Sequence, residues 1–119
     1  MPDKVQVNKD QKFILVQSYG VVTREDIAES IASVREIFDN EGINKVLVDT
    51  TGQEKMPNTI DTYELFAEFP RAFRLALLIQ QSQVTARDIA FVETVGFNRG
   101  VQMKIFHDKE QALRWLDIP

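Results

Sequence analysis

The 119-residue chain has no cysteine and only one histidine. Without cysteine there is no disulfide, no thiolate nucleophile and no cysteine-based zinc site. Any Ser-His-Asp device would have to use His107, yet no Gly-x-Ser-x-Gly turn accompanies it. A strand-end residue beside an Asp108 helix cap is the simpler reading of that histidine. One histidine and no cysteine also argue against zinc in any form. Dense Lys/Arg clusters are missing and the net charge is −4. A nucleic-acid binder needs a basic footprint to displace counterions, so no nucleic-acid partner is expected. An acidic membrane surface has no electrostatic attraction to offer either. No apolar run approaches the ~20 residues that span a bilayer, so no transmembrane segment is expected. The opening Met-Pro-Asp-Lys-Val-Gln-Val has no apolar signal-peptide core, which points to a cytoplasmic location.

What is present is ordinary for a globular domain: 44% apolar and 27% charged residues. The length suits a single domain over residues 1–119 with a real core. Its organising stretch is Lys45 to Thr59. Val46, Leu47 and Val48 form an apolar, mostly β-branched run without alternation, as in a strand buried on both faces of a largely parallel sheet. Asp49 is expected to end that run, and Gly52 and Pro57 to break the chain into a loop. Ligands of open α/β folds bind at the carboxyl ends of parallel strands, so a site is expected here.

The remaining elements fall on either side. Lys4 to Asn8 alternates, with Val5 and Val7 on one face, as in an edge strand. A polar turn over Asn8-Lys9-Asp10-Gln11 joins it to a second strand, Phe13 to Ser18, in an antiparallel hairpin. Thr23 begins a helix with Glu25 and Asp26 in the first turn, where the dipole favours acids. Its apolar stripe is Ile27, Ile31, Val34, Ile37 and Phe38, and Gly42 stops it. Thr59 can cap a second helix over roughly 60–69, ended by Pro70. Phe73 to Gln80 reads as the fourth strand. Thr85 caps a third helix that Gly100 closes, Met103 to His107 is the fifth strand, and Asp108 with Gln111 forms a capping-box-like start for a last helix.

The order is therefore β-β-α-β-α-β-α-β-α: an α/β domain with a five-stranded mixed sheet and four helices. Right-handed crossovers stepping one way place every helix on one face and leave no topological switch point for a dinucleotide.

Two stretches carry a family resemblance. Gly20-Val21-Val22-Thr23-Arg24-Glu25-Asp26 resembles the Gly-x-Val-Thr-x-Glu-Asp entry of small SpoIIAA-like (STAS-like) proteins. The run Val101-Gln102-Met103-Lys104-Ile105-Phe106-His107-Asp108 to Ala112-Leu113-Arg114-Trp115-Leu116 resembles their ending, a strand finishing in Phe, an acidic cap, then Ala-x-x-Trp-Leu. The resemblance implies a fold related to bacterial anti-sigma-factor antagonists and, more distantly, to CRAL-TRIO lipid-carrier domains. Regulated antagonists carry a phosphorylatable Ser, preceded by Asp, at the start of their second helix. Asp49-Thr50-Thr51-Gly52 imitates that string but sits at a strand end, so Thr59, at the helix start, is the positional candidate for a phosphoacceptor.

Other candidates have plain alternatives. Asp49, Glu54 and Asp61 could hold Mg²⁺ through oxygen ligands, but acids at a helix start need no metal. Gly96-Phe97-Asn98-Arg99-Gly100 lacks the Lys-Ser/Thr ending of a phosphate loop and closes a helix rather than opening one. Arg71, Arg74 and Arg99 read as scattered surface arginines before they read as an anion site. The aromatics say more. Ile60, Tyr63, Phe66, Ala67 and Phe69 occupy much of the second helix, and Ile89, Ala90, Phe91, Val92, Val95 and Phe97 much of the third. A surface helix needs only one apolar stripe. The excess meets the core, a partner or an apolar ligand.

The reading is a non-enzymatic regulatory or protein-binding module with no cofactor. Its expected ligand or partner surface is Asp49, Thr51, Thr59, Tyr63, Phe66, Phe69, Phe91 and Val95. The rival is a carrier or sensor of a lipid-like small molecule held between the second and third helices. A homodimer through the same two helices would bury the surplus, and Trp115 is expected to anchor the last helix against Phe13, Ile105 and the first-helix stripe.

Overall fold

The computed structural model describes residues 3–21, 23–55, 73–80, 86–99 and 102–118. Five strands form one sheet in the order β1-β2-β3-β4-β5: β1 Asp3–Asn8, β2 Phe13–Val21, β3 Lys45–Lys55, β4 Arg74–Leu78 and β5 Gln102–Phe106. β1 pairs antiparallel with β2, and all later pairs are parallel. The strand order follows the chain order, so there is no switch point. Three helices lie among the described residues: α1 Arg24–Glu41, α2 Ala86–Arg99 and α3 Lys109–Trp115. The expected helix over 60–69, with its cap Thr59, falls outside the described residues, as does the Thr85 cap.

Local chemistry explains α1. The Thr23 hydroxyl accepts from the Asp26 N–H at 3.2 Å, and the Asp26 carboxylate accepts from the Thr23 N–H at 2.9 Å, a reciprocal capping box. At the other end Gly42 takes a left-handed φ of 72° and its N–H donates to the Phe38 carbonyl. Between them Ile27, Ile31 and Val34 are buried, while Glu29, Arg35, Glu36 and Asp39 are exposed.

The sheet is covered on both faces. Ile14, Val16, Val46, Val48, Leu75, Leu77 and Ile105 point to one side, where α1 and the Ile89 and Phe91 side chains of α2 pack on them. Phe73 is fully buried there, with its ring edge-on to Phe38 at 4.9 Å between centroids. Phe13, Leu47, Ala76, Leu78 and Phe106 point to the other side, where α3 packs through Ala112 and Leu116. The expectation that every helix shares one face is thus overturned for α3. The crossover rule constrains only a helix between two parallel strands, and α3 follows the last strand. It goes where uncovered apolar surface remains.

The expected partners of Trp115 are corrected in part: Phe13 belongs to the cluster it packs on. Ile105 and the α1 stripe lie on the opposite face. Trp115 is half-buried beside Phe106, with centroids 5.8 Å apart, and the Arg74 guanidinium lies 4.3 Å from its ring centroid. The same guanidinium donates from Nη2 to the Trp115 carbonyl at 2.6 Å. Arg74 therefore stacks on the last helix and caps its C-terminus at once. The Asp108 carboxylate starts this helix by accepting from the Glu110 N–H, so that bond goes to Glu110 and not to Gln111.

Two outcomes follow from these contacts. Replacing Arg74 with Met removes a charged donor and a cation–π contact, and urea denaturation should show a loss of about 1–3 kcal/mol. Lys104→Met, which removes an exposed ammonium 5.6 Å from the Phe106 ring, should change stability by less than about 0.5 kcal/mol. An Arg74 variant as stable as the native chain would reject the pinning role.

The Asp26 carboxyl is held below its ordinary value of 3.8, first by the Thr23 N–H and then by the Thr23 hydroxyl. A depressed carboxylate adds stability that is complete above the ordinary value and is lost as pH falls through the folded value. Protection factors of amides in the first turn of α1, taken relative to intrinsic exchange, should fall through that acidic window, and Asp26→Ala should leave them low at every pH.

Candidate functional site

The carboxyl ends of β2 to β5 lie side by side, and β3 sets their geometry. Val46 and Leu47 are fully buried and Val48 nearly so. Asp49 does not end the strand as expected. β3 runs on to Lys55, because β2 also runs on, to Val21, and offers it a partner. Asp49 marks instead the last pair with β4, opposite Leu78. Beyond it, β2 advances four residues, from 17 to 21, while β3 advances six, from 49 to 55. The two extra residues are bulges, which re-aim side chains and add twist.

Polar side chains take over where the β3–β4 ladder stops. The buried Thr50 hydroxyl donates to the Leu78 carbonyl at 3.0 Å. The Gln80 amide donates to the Thr51 carbonyl at 2.7 Å. Asp49 Oδ1 accepts from both the Thr51 N–H, at 2.9 Å, and the Thr51 hydroxyl, at 2.6 Å. One strand further, His107 Nδ1 lies 2.8 Å from the Ile79 carbonyl. A carbonyl only accepts, so Nδ1 carries a proton in this contact.

Tyr19 stands beside this row. It is 49% exposed, the one large apolar side chain so exposed among the described residues. Its register partner is Gly52, and a Cβ at position 52 would lie 2.8 Å from Tyr19 Cδ1 and 3.1 Å from the Ser18 carbonyl oxygen. Glycine at 52 is what lets the tyrosine ring lie down on β3. The edge thus runs Tyr19, Gly52, Thr51, Gln80 and His107, with Asp49 beneath Thr51. Of the residues expected in a site, Asp49 and Thr51 lie on this edge. Tyr19, Gln80 and His107 were not assigned to it. The tyrosine lay beyond the expected end of its strand, and the other two join only through backbone carbonyls of neighbouring strands.

The other expected surface residues fare differently. Thr59, Tyr63, Phe66 and Phe69 lie outside the described residues, as do Asp61 and Arg71. Val95 lies on α2, its side chain outside the described set. Phe91 is half-buried against the sheet core, so part of the surplus assigned to a partner belongs to the monomer. The Asp49-Thr50-Thr51-Gly52 string lies wholly within β3, and its central hydroxyl is buried, the wrong setting for a helix-start phosphoswitch. Among the described residues no group of three or more acidic, histidine or cysteine side chains is placed to hold a metal ion, and no helix is long and apolar enough to cross a membrane. Arg74 is committed to α3 and is not part of an anion site.

A solved structure makes the fold likeness concrete. An uncharacterized protein of the DUF3478 family from Shewanella loihica PV-4, with a SpoIIAA-like fold, superposes with a TM-score of 0.62. The match covers 96% of this chain and 91% of that one. This chain has a SpoIIAA-like fold. At 20% identity the likeness concerns architecture alone, and function has to be argued from the site. No protein-family model matches the sequence, and no curated protein does.

Gly52→Ala tests the edge. The new methyl should push the Tyr19 ring off β3 and cost about 1–3 kcal/mol by overpacking. Tyr19 ring chemical shifts and denaturant midpoints check this together. Unchanged shifts would show that the ring does not rest on Gly52.

Proposed function

We propose that this chain is a non-enzymatic binding module of regulatory type, and that it meets a protein partner through the carboxyl edge of the sheet around Tyr19. The observation that carries the reading is the exposed tyrosine on a rigid seat. Tyr19 sits in a fixed register beside Gly52 on the strand that is also the centre of the core. Pre-positioned aromatics of this kind dominate binding energy because they bring a large contact area at little entropic cost. Gln80 and His107, both exposed, supply a polar rim.

The potential acid–base groups support a binding role. The Asp49 carboxylate accepts from the Thr51 N–H and hydroxyl, and the His107 Nδ1–H donates to the Ile79 carbonyl, so each steadies the sheet edge.

Tyr19→Ala is the test. The variant should keep its denaturant midpoint to within about 0.5 kcal/mol, as a surface change does. Its affinity for the partner should fall by at least about 2 kcal/mol, roughly thirtyfold. Native mass spectrometry of the native chain reads the occupant directly. A bound protein, including a second copy of the chain, fits the proposal if Tyr19→Ala releases it. A co-purified apolar small molecule that survives Tyr19→Ala would replace this reading with the carrier.

A further inference from the structure

The opposite end of the sheet holds a second feature, unrelated to the Tyr19 edge. The hairpin turn before β2 and the loop from α1 into β3 enclose a cleft of about 400 Å³ lined by Lys9, Lys12 and Lys45, with Glu41 as its one carboxylate. In a chain of net charge −4, three ammonium groups around one cleft stand against the overall sign. From these groups we infer that the cleft binds a small oxyanion carrying two or more negative charges, of the phosphate or polycarboxylate type.

The charge balance favours such a ligand. Lys9 is paired with Glu41 at 3.2 Å. Lys45 makes one long contact, 3.5 Å, to the Asp117 carbonyl, which leaves further ammonium protons to donate. Lys12 is exposed. The C-terminus of α1 also points here with about half a negative charge, and its last turn holds no basic residue of its own. The three lysines exceed what Glu41 and that dipole neutralise together, and the excess is about one and a half positive charges.

The backbone supplies the independent observation. Lys12 is held at φ 57°, a left-handed conformation that glycine or asparagine adopts more easily. The turn itself is closed by Asn8, whose Oδ1 accepts from the Gln11 N–H at 2.9 Å, so it does not need a lysine to form. Lys12 is exposed, and among the described residues the turn closes without a hydrogen bond from its side chain. Lys12 lines the cleft together with Lys45.

The strain makes the test unusually clean. Lys12→Gly should raise the melting temperature, because it relieves the left-handed strain, and should weaken anion binding. Amide shifts of residues 9–12 and 41–45 would be followed during titration with pyrophosphate, with citrate in a parallel arm and sodium chloride at matched ionic strength as control. Saturable shifts confined to those residues, with Kd on the order of 1 mM or tighter, support the site. The tighter of the two probes names the ligand type. Lys12→Gly and Lys45→Gln should each raise Kd by roughly threefold to tenfold, the effect of one lost charge contact. Shifts matched by sodium chloride, or a stabilised Lys12→Gly protein that binds as well as the native chain, would overturn the inference. Either result leaves the Tyr19 reading untouched, since that lies at the other end of the strands.

Discussion

A strand buried on both faces has to be covered twice. Val46, Leu47 and Val48 sit at the centre of a five-stranded sheet, and their alternating side chains enter two separate apolar clusters. Backbone hydrogen bonds in such a strand cannot be left to water, so the flanking β2 and β4 must match it residue for residue. They do so from Ile14 to Gln17 and from Arg74 to Leu78. The layered architecture follows: α1 and α2 over one face, α3 over the other.

The candidate site arises where that constraint relaxes. β4 leaves the ladder at Leu78, whereas β3 continues beside β2. The carbonyls of Leu78 and Thr51 are then satisfied by the Thr50 hydroxyl and the Gln80 amide. Side chains replace backbone donors at the point where the strands diverge, and the bulges in β3 turn its surface outward. Tyr19 is exposed there, and Gly52 gives its ring room to lie flat on β3. Stability and presentation are thus coupled through a handful of residues between 17 and 52.

The last helix shows a second coupling. Lys45 and Arg74 are register neighbours at the amino ends of β3 and β4, and both donate to carbonyls of the closing segment, Asp117 and Trp115. Two cations from the sheet therefore donate to the segment that closes α3. Because Lys45 also lines the basic cleft, the fastening of the C-terminal segment and the charge of that cleft share a residue.

Local patterns in the sequence determined most of the elements. The Thr23–Asp26 box, the Gly42 stop, the unbroken apolar run of β3 and the alternation of Phe73 to Gln80 each encode their structure within a few residues. Local propensity, capping and face periodicity suffice for that. Asp49 and Thr51 were legible for the same reason, as polar residues following a buried run. The length of β3, the face taken by α3, the partners of Trp115 and the exposure of Tyr19 were decided only in three dimensions. Each depends on what a distant strand leaves unpaired or uncovered. A strand continues while a neighbour offers hydrogen bonds, and a terminal helix packs where apolar surface remains. Neither quantity exists until the sheet has been assembled.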